Sequence, residues 1–211
     1  MNVFPVADPA SLGAITRALA RYADTIRPWA AERAAEMLTA SEHQDKRAWT
    51  AATRSLGAGI REELKRAPIA QVMSERMATQ VKLITSLPTD AATRVQKLTM
   101  EALSSGTRAA SIAKEIKRTG EVTEARANLI ARTEVSRTST LLTEARAQSV
   151  GSEGYIWRTA GDTDVRDSHR LMEGKFVAWT QPPKLDGLVG HAGALPRCRC
   201  YPEPVIPKPI E

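Results

Sequence analysis

Aromatic side chains are scarce in this 211-residue chain: four Trp, three Tyr and two Phe against abundant alanine. That balance argues for helices with small interfaces rather than a β-sandwich. Cysteine is scarcer still, with only Cys198 and Cys200. Two thiols one residue apart are badly placed to close a disulfide on each other. The N-terminus, Met1-Asn2-Val3-Phe4-Pro5, lacks the basic segment and apolar run of a secretory signal, so reduced thiols in a cytoplasmic setting are expected. There is no run of about 18 uncharged apolar residues, which argues against a spanning helix, and no membrane partner is expected. A Gly-rich phosphate loop, G-x-S-x-G and H-E-x-x-H are also missing, and with them the commonest sequence routes to nucleotide, acyl and metalloprotease chemistry. The length itself suffices to bury a core, in one large domain or two small ones.

Charge is present but uneven. Residues 1–150 hold 22 Lys and Arg against 16 Asp and Glu, so the whole net charge of +6 lies there; residues 151–211 hold eight of each. A basic helical half can meet nucleic acid or an acidic protein surface, and equally can be a set of solvated helix faces.

Composition changes near Gly151. Five of the twelve prolines precede it and seven follow, all beyond residue 180, together with seven of the twelve glycines counted from Gly151. The pattern predicts an α+β protein: a mainly helical N-terminal region (residues 1–104), a helix pair over 105–150, a small α+β module over 151–206 and an extended tail over 207–211. Asp8-Pro9 reads as a cap opening a helix toward Thr39, bent or broken at Pro28. Ser41 to Gln44 reads as a capping box for a second helix ending near Gly57 or Gly59. A third covers roughly Ile60 to Ser86 and stops at Pro88, and Thr89 caps a fourth that fades by Gly106. Thr107 to Arg118, with Ile112 and Ile116 on one face, stops at Gly120. Thr123 then caps a long helix that ends at Gly151. Gly154–Arg158 alternates like a strand. Asp164–Glu173 reads as a short helix, Lys175–Trp179 and Arg199–Glu203 as further strands, and Tyr155, Trp157, Phe176, Trp179 and Tyr201 as a small core.

The chemistry-bearing residues cluster at the end of the chain. On a strand, Cys198 and Cys200 face the same way, and His169 and His191 precede them. Two thiolates and two imidazoles make a tetrahedral zinc shell, closed and therefore structural. The plainer alternative is two small buried thiols beside ordinary histidines. Asp162, Asp164, Asp167 and Glu173 bracket His169 and suit metal-assisted hydrolysis, or else turns, a helix N-terminus and ion pairs. Residues 107–137 have the rhythm of a helix-turn-helix, with Arg126, Arg132 and Arg137 on or near the second helix.

The ordered string Ile130-Ala131-Arg132-Thr133-Glu134, Trp157-Arg158-Thr159, Asp164 to His169, Met172-Glu173-Gly174, Trp179, Pro182-Pro183, His191 and Cys198-Arg199-Cys200 resembles the bacteriophage Mu F-protein-like minor head protein family over roughly residues 105–206. Residues 1–104 carry no motif of that family. The resemblance implies a virion component of head morphogenesis, without a catalytic residue, that assembles in the host cytoplasm. Its implied partners are the portal protein or the major capsid protein, with a scaffold or protease and packaged DNA as further contacts. Many members carry Cys-x-x-Cys where this chain has Arg166 and His169, and a histidine where it has Leu195. A metal here is therefore left with His169, His191, Cys198 and Cys200, or a subset of them. The chain is also short for that family, so a shortened N-terminal region and a compact branch are both open.

Overall fold

The computed structural model describes residues 9–54, 58–105 and 109–207. The chain is α+β, as its composition predicts: five helices come first, and short strands follow. Two compact units can be distinguished, one from the described parts of Met1–Arg33 and Thr79–Ile130, the other from Ala34–Ala78 and Ala131–Glu211.

Helix α1 spans Pro9–Thr25 and α2 spans Arg27–Ala52. The break lies two residues before Pro28, whose ring excludes the carbonyl one turn back. The expected capping box at Ser41 is overturned. Ser41 lies inside α2, and its hydroxyl donates to the Met37 carbonyl at 2.9 Å, a bond available to any mid-helix serine. The predicted Ile60–Ser86 helix is two helices, α3 (Ala58–Lys65) and α4 (Ile69–Ser105), separated at Pro68. Pro88, expected as a stop, sits within α4. Hydroxyls surround it: Thr85 donates to the Val81 carbonyl at 2.9 Å, Ser86 to Leu83 at 2.9 Å and Thr89 to Ser86 at 2.8 Å. These bonds serve the carbonyls of Val81, Leu83 and Ser86 rather than that of Ile84, which loses its helical donor at Pro88.

Helix α5 runs unbroken through Ala109–Ser149, which removes the helix-turn-helix. Gly120 is helical, and Thr123, read as a cap, donates instead to the Thr119 carbonyl at 2.7 Å. Of the three arginines expected to serve that motif, Arg126 pairs with Asp90 at 2.8 Å, and Arg137 is held within the second unit. Asp8, Gly57, the side chains of Ile112 and Ile116, and the tail beyond residue 207 lie outside the described residues.

The end of α5 follows the sequence reading. Gly151 takes φ 79°, its N–H bonds the Gln148 carbonyl at 3.0 Å and the N–H of Ser152 bonds Ala147 at 3.0 Å. This is the paired 5→2 and 6→1 closure that an αL residue permits. The chain then enters β1 (Gly154–Arg158), the middle of an antiparallel sheet ordered β2-β1-β5, with β2 at Phe176–Ala178 and β5 at Tyr201–Pro204. A four-residue helix, α6 (Asp167–Arg170), lies between β1 and β2. A two-stranded ladder not foreseen from sequence, β3 (Lys184–Leu185) and β4 (Leu188–Val189), turns through Asp186 and Gly187 at φ 51° and 80°, the positive pair that a tight hairpin requires.

Tyr155 and Trp157 are fully buried on one face of β1 and pack with Trp179, Val177, Leu195 and Ala147, and with Trp49 and Leu64. Two of the five expected core aromatics are not there. Phe176 pairs across from Ile156 and Tyr201 across from Arg158, so the period-two alternation puts both on the other face, and each is more than half exposed.

Candidate metal centre

His169, on α6, meets the Cys198-Arg199-Cys200 segment that leads into β5. Its Nδ1 lies 3.4 Å from Cys198 Sγ and 3.5 Å from Cys200 Sγ, and the three donor atoms fall within 4.8 Å of one another. All three side chains are buried. The N–H of Gly193 donates to Cys198 Sγ at 3.4 Å. Gly193 is required there: its φ is 83°, and a Cβ would come within 2.5 Å of Thr140 Oγ1.

The neighbouring Cys200 thiol holds the Cys198 thiol well below its ordinary range, and the same contact, with burial, pushes Cys200 up. The backbone N–H groups of Cys200 and Gly193 act in the same direction on Cys198. Two cysteine sulfurs and an imidazole nitrogen form the donor set that soft divalent cations select. Zinc–sulfur bonds of about 2.3 Å and zinc–nitrogen bonds of about 2.1 Å, at tetrahedral angles, put ligands roughly 3.6 Å apart. The 3.4 and 3.5 Å separations match that spacing, so the residues fit the ion.

His191, the fourth sequence candidate, is held elsewhere. Its Nε2 lies 3.1 Å from the Trp179 carbonyl and its Nδ1 3.2 Å from Tyr155 Oη. A carbonyl only accepts, so Nε2 carries the proton and Nδ1 accepts from the tyrosine. Tyr155 Oη in turn accepts from the Ala192 N–H at 3.1 Å. Burial lowers the His191 pKa, keeping a ring whose two nitrogens are both engaged neutral. The structure thus groups His169, Cys198 and Cys200 as candidate ligands and sets His191 apart from them.

The acids that bracket His169 in sequence do not converge on it. Arg199 reaches Asp162 at 2.7 Å and Asp164 at 2.8 Å, pinning the 160–166 loop to the cysteine segment. Glu173 accepts from Thr159 N–H at 2.6 Å and from its hydroxyl at 2.7 Å, and these bonds hold its pKa down. Asp167 stands in the first turn of α6. The carboxylate that does approach His169 belongs to Asp186, 3.9 Å from Nε2.

Helix α5 supplies a polar rail that sequence reasoning missed. Thr140 Oγ1 donates to the Ala192 carbonyl at 2.8 Å and Arg137 Nε to Ala194 at 3.0 Å. Arg137 also bridges to Glu134 at 2.9 Å, and Arg76 pairs with the same buried glutamate. The signal was present as the polar run Thr133-Glu134-Val135-Ser136-Arg137-Thr138-Ser139-Thr140 inside a helix that ought to bury apolar residues.

Comparison with known proteins bears directly on this segment. The family model described as phage Mu protein F like protein matches residues 93–202. A protein of Haemophilus influenzae (strain ATCC 51907 / DSM 11121 / KW20 / Rd), described as uncharacterized, is 33% identical over 138 residues, which is 65% of this chain and 30% of that protein. The chain thus spans less than a third of that relative's length. No solved structure matches.

Proposed function

Because the chain belongs to the phage Mu protein F like family, we propose that it is a minor head protein that acts in prohead assembly near the portal, by binding rather than by turnover. The family is one of phage head morphogenesis, and its members interact with other head components and work in the virion. Residues 1–104 are the docking region in this reading, and the C-terminal module is a rigid clasp held by a structural zinc on His169, Cys198 and Cys200. The portal protein, the major capsid protein or both are its partners, with scaffold or protease as transient ones, and assembly takes place in the host cytoplasm. Among the described residues no helix is long and apolar enough to cross a membrane.

One observation carries the non-catalytic reading. The polar residues that make the module recognisable in sequence are engaged with one another and with backbone. Arg199 holds Asp162 and Asp164, Glu173 holds Thr159, and His169 meets the two thiols. Catalytic groups converge instead on a space a substrate can enter. Contact with packaged DNA would fall to exposed cations such as Lys46, Arg47 and Arg54, which with His43 line a shallow 520 Å³ depression at the end of α2 and the turn after it.

The test is co-expression of the full chain with the portal protein and, separately, with the major capsid protein of the same phage. Co-elution with the portal on sizing is expected, and separate elution from both proteins overturns the assembly role. Elemental analysis of the purified chain is expected to give stoichiometric zinc, and a metal-free protein overturns the clasp. DNA retention that ignores salt concentration removes the phosphate contacts.

A further inference from the structure

Asp186 stands behind the imidazole of His169. It occupies the first central position of the β3–β4 turn, at φ 51°, and the turn carries its carboxylate back onto α6. Its Oδ2 accepts from Ser168 Oγ at 2.9 Å and lies 3.6 Å from Arg166 Nη1. The same oxygen is 3.9 Å from His169 Nε2, a buried nitrogen without a hydrogen-bond partner. The opposite nitrogen, Nδ1, faces both sulfurs. A neutral imidazole that offers the Nδ1 lone pair to a cation carries its proton on Nε2. A buried N–H needs an acceptor, and for metal-binding histidines that acceptor is usually a carboxylate, a backbone carbonyl or a water.

We propose that Asp186 is a positioning residue for a zinc centre: its carboxylate, steadied by Ser168 and Arg166, takes the Nε2–H of His169 and fixes the ring in the tautomer and orientation that aim Nδ1 at Cys198 and Cys200. The proposal rests on the zinc reading above, yet can fail separately from it. The present separation exceeds a hydrogen bond, so a small rotation of ring or carboxylate completes the contact. Ser168 and Asp186 thereby act together, tethering the hairpin to α6 so that its tip becomes a component of the site.

The experiment uses the full chain and two variants suited to positive φ, Asp186→Asn and Asp186→Gly. Zinc affinity is read by competition with a chromophoric chelator. The His169 tautomer in the metal-free chain is read by long-range proton–nitrogen NMR. Zinc affinity is expected to fall by about 10- to 100-fold, more in the Gly variant, which loses the acceptor, than in the Asn variant, which loses only the charge. The wild-type ring is expected as Nε2–H, and Asp186→Gly to lose that single tautomer. A hairpin tether alone would lower thermal stability and leave the tautomer unchanged. Unchanged affinity in both variants, with the ring still Nε2–H, overturns the proposal while the zinc reading stands. If the wild-type chain takes up no zinc, the zinc reading falls and the Asp186 proposal falls with it.

Discussion

Threonine hydroxyls of α1, α2 and α4 reach one turn back along their own helix. Polar side chains in the second half of α5 reach across the second unit instead. In the first group Thr25 bonds Arg21, Thr50 bonds Lys46 and Thr93 bonds Thr89, all four residues apart. In the second, Thr140 reaches Ala192 over 52 residues, Arg137 reaches Ala194 over 57 and Arg146 reaches Asp45 over 101. A local bond forms in any helix, native or transient, and so adds little preference for one fold. A bond closed over a long stretch of chain exists only when the whole unit is assembled, so it selects the native arrangement.

The largest break in that contrast is expected at Asp45. It accepts from Arg146 Nε at 2.5 Å and from Thr143 at 2.9 Å, while Arg146, itself buried, also reaches Glu42 at 2.9 Å. Burial pushes the Asp45 carboxyl up, so its charge is held against a desolvation cost. Asp45→Ala leaves the guanidinium largely unpaired in the interior and is expected to destabilise the unit by about 3 kcal/mol, the low end for breaking a buried pair, because Glu42 remains. Urea unfolding followed by Trp fluorescence measures it. Replacing both partners, Asp45→Leu with Arg146→Met, is expected to recover most of the loss. A double variant as weak as the single one would mean that the pair is not acting as a unit.

A smaller and sharper test lies at Thr140→Val. The isosteric change removes one hydroxyl donor and leaves the Ala192 carbonyl buried without it. The expected cost is about 1–2 kcal/mol, concentrated in the loop that presents Cys198. Hydrogen exchange at residues 192–198 should rise more than exchange in α5. An equal rise in both would assign the effect to the helix rather than to the docking of the loop.

The same contrast explains which regions of the fold were legible in the sequence. Strand β1 was read to both ends, because Tyr155 and Trp157 alternate with residues of the outer face and Gly151 marks the turn before them. His169, Cys198 and Cys200 were legible as a group because rare residues concentrated in one segment. Helix boundaries were misread at Ser41, Pro88, Thr89, Gly120 and Thr123. Each is a sound local stop or start signal, and at Ser41, Thr89 and Thr123 the hydroxyl is absorbed by a carbonyl of the same helix. Pro68, which does separate α3 from α4, was passed over. The β3–β4 hairpin was missed because strands of two residues show no alternation, although Asp186-Gly187 is a strong turn dipeptide. Asp186, Thr140 and the Arg199 clamp were out of reach for another reason. Their partners lie 18, 52 and 35 residues away, and a single sequence does not show which distant turns meet.

The smallest effect expected, and the one that most directly separates the two regions, is at Thr50. It is exposed on α2, and its hydroxyl donates at 2.7 Å to Lys46, the carbonyl one turn back. In the native state that bond removes no buried orphan, because the hydroxyl has water available and the carbonyl already serves the helix. Thr50→Ala therefore loses little and gains the higher helix propensity of alanine, worth about 0.5 kcal/mol. The midpoint in urea should rise slightly or stay in place, where Thr140→Val lowers it. Both substitutions delete one threonine hydroxyl bonded to one carbonyl, and once alanine's propensity gain of about 0.5 kcal/mol is set aside, the remaining difference reports sequence separation and burial. A loss at Thr50 as large as at Thr140 would show that the depression lined by Lys46, Arg47 and Arg54 is more tightly organised than its exposure suggests, and the contrast between local and long-range polar contacts would fall with it.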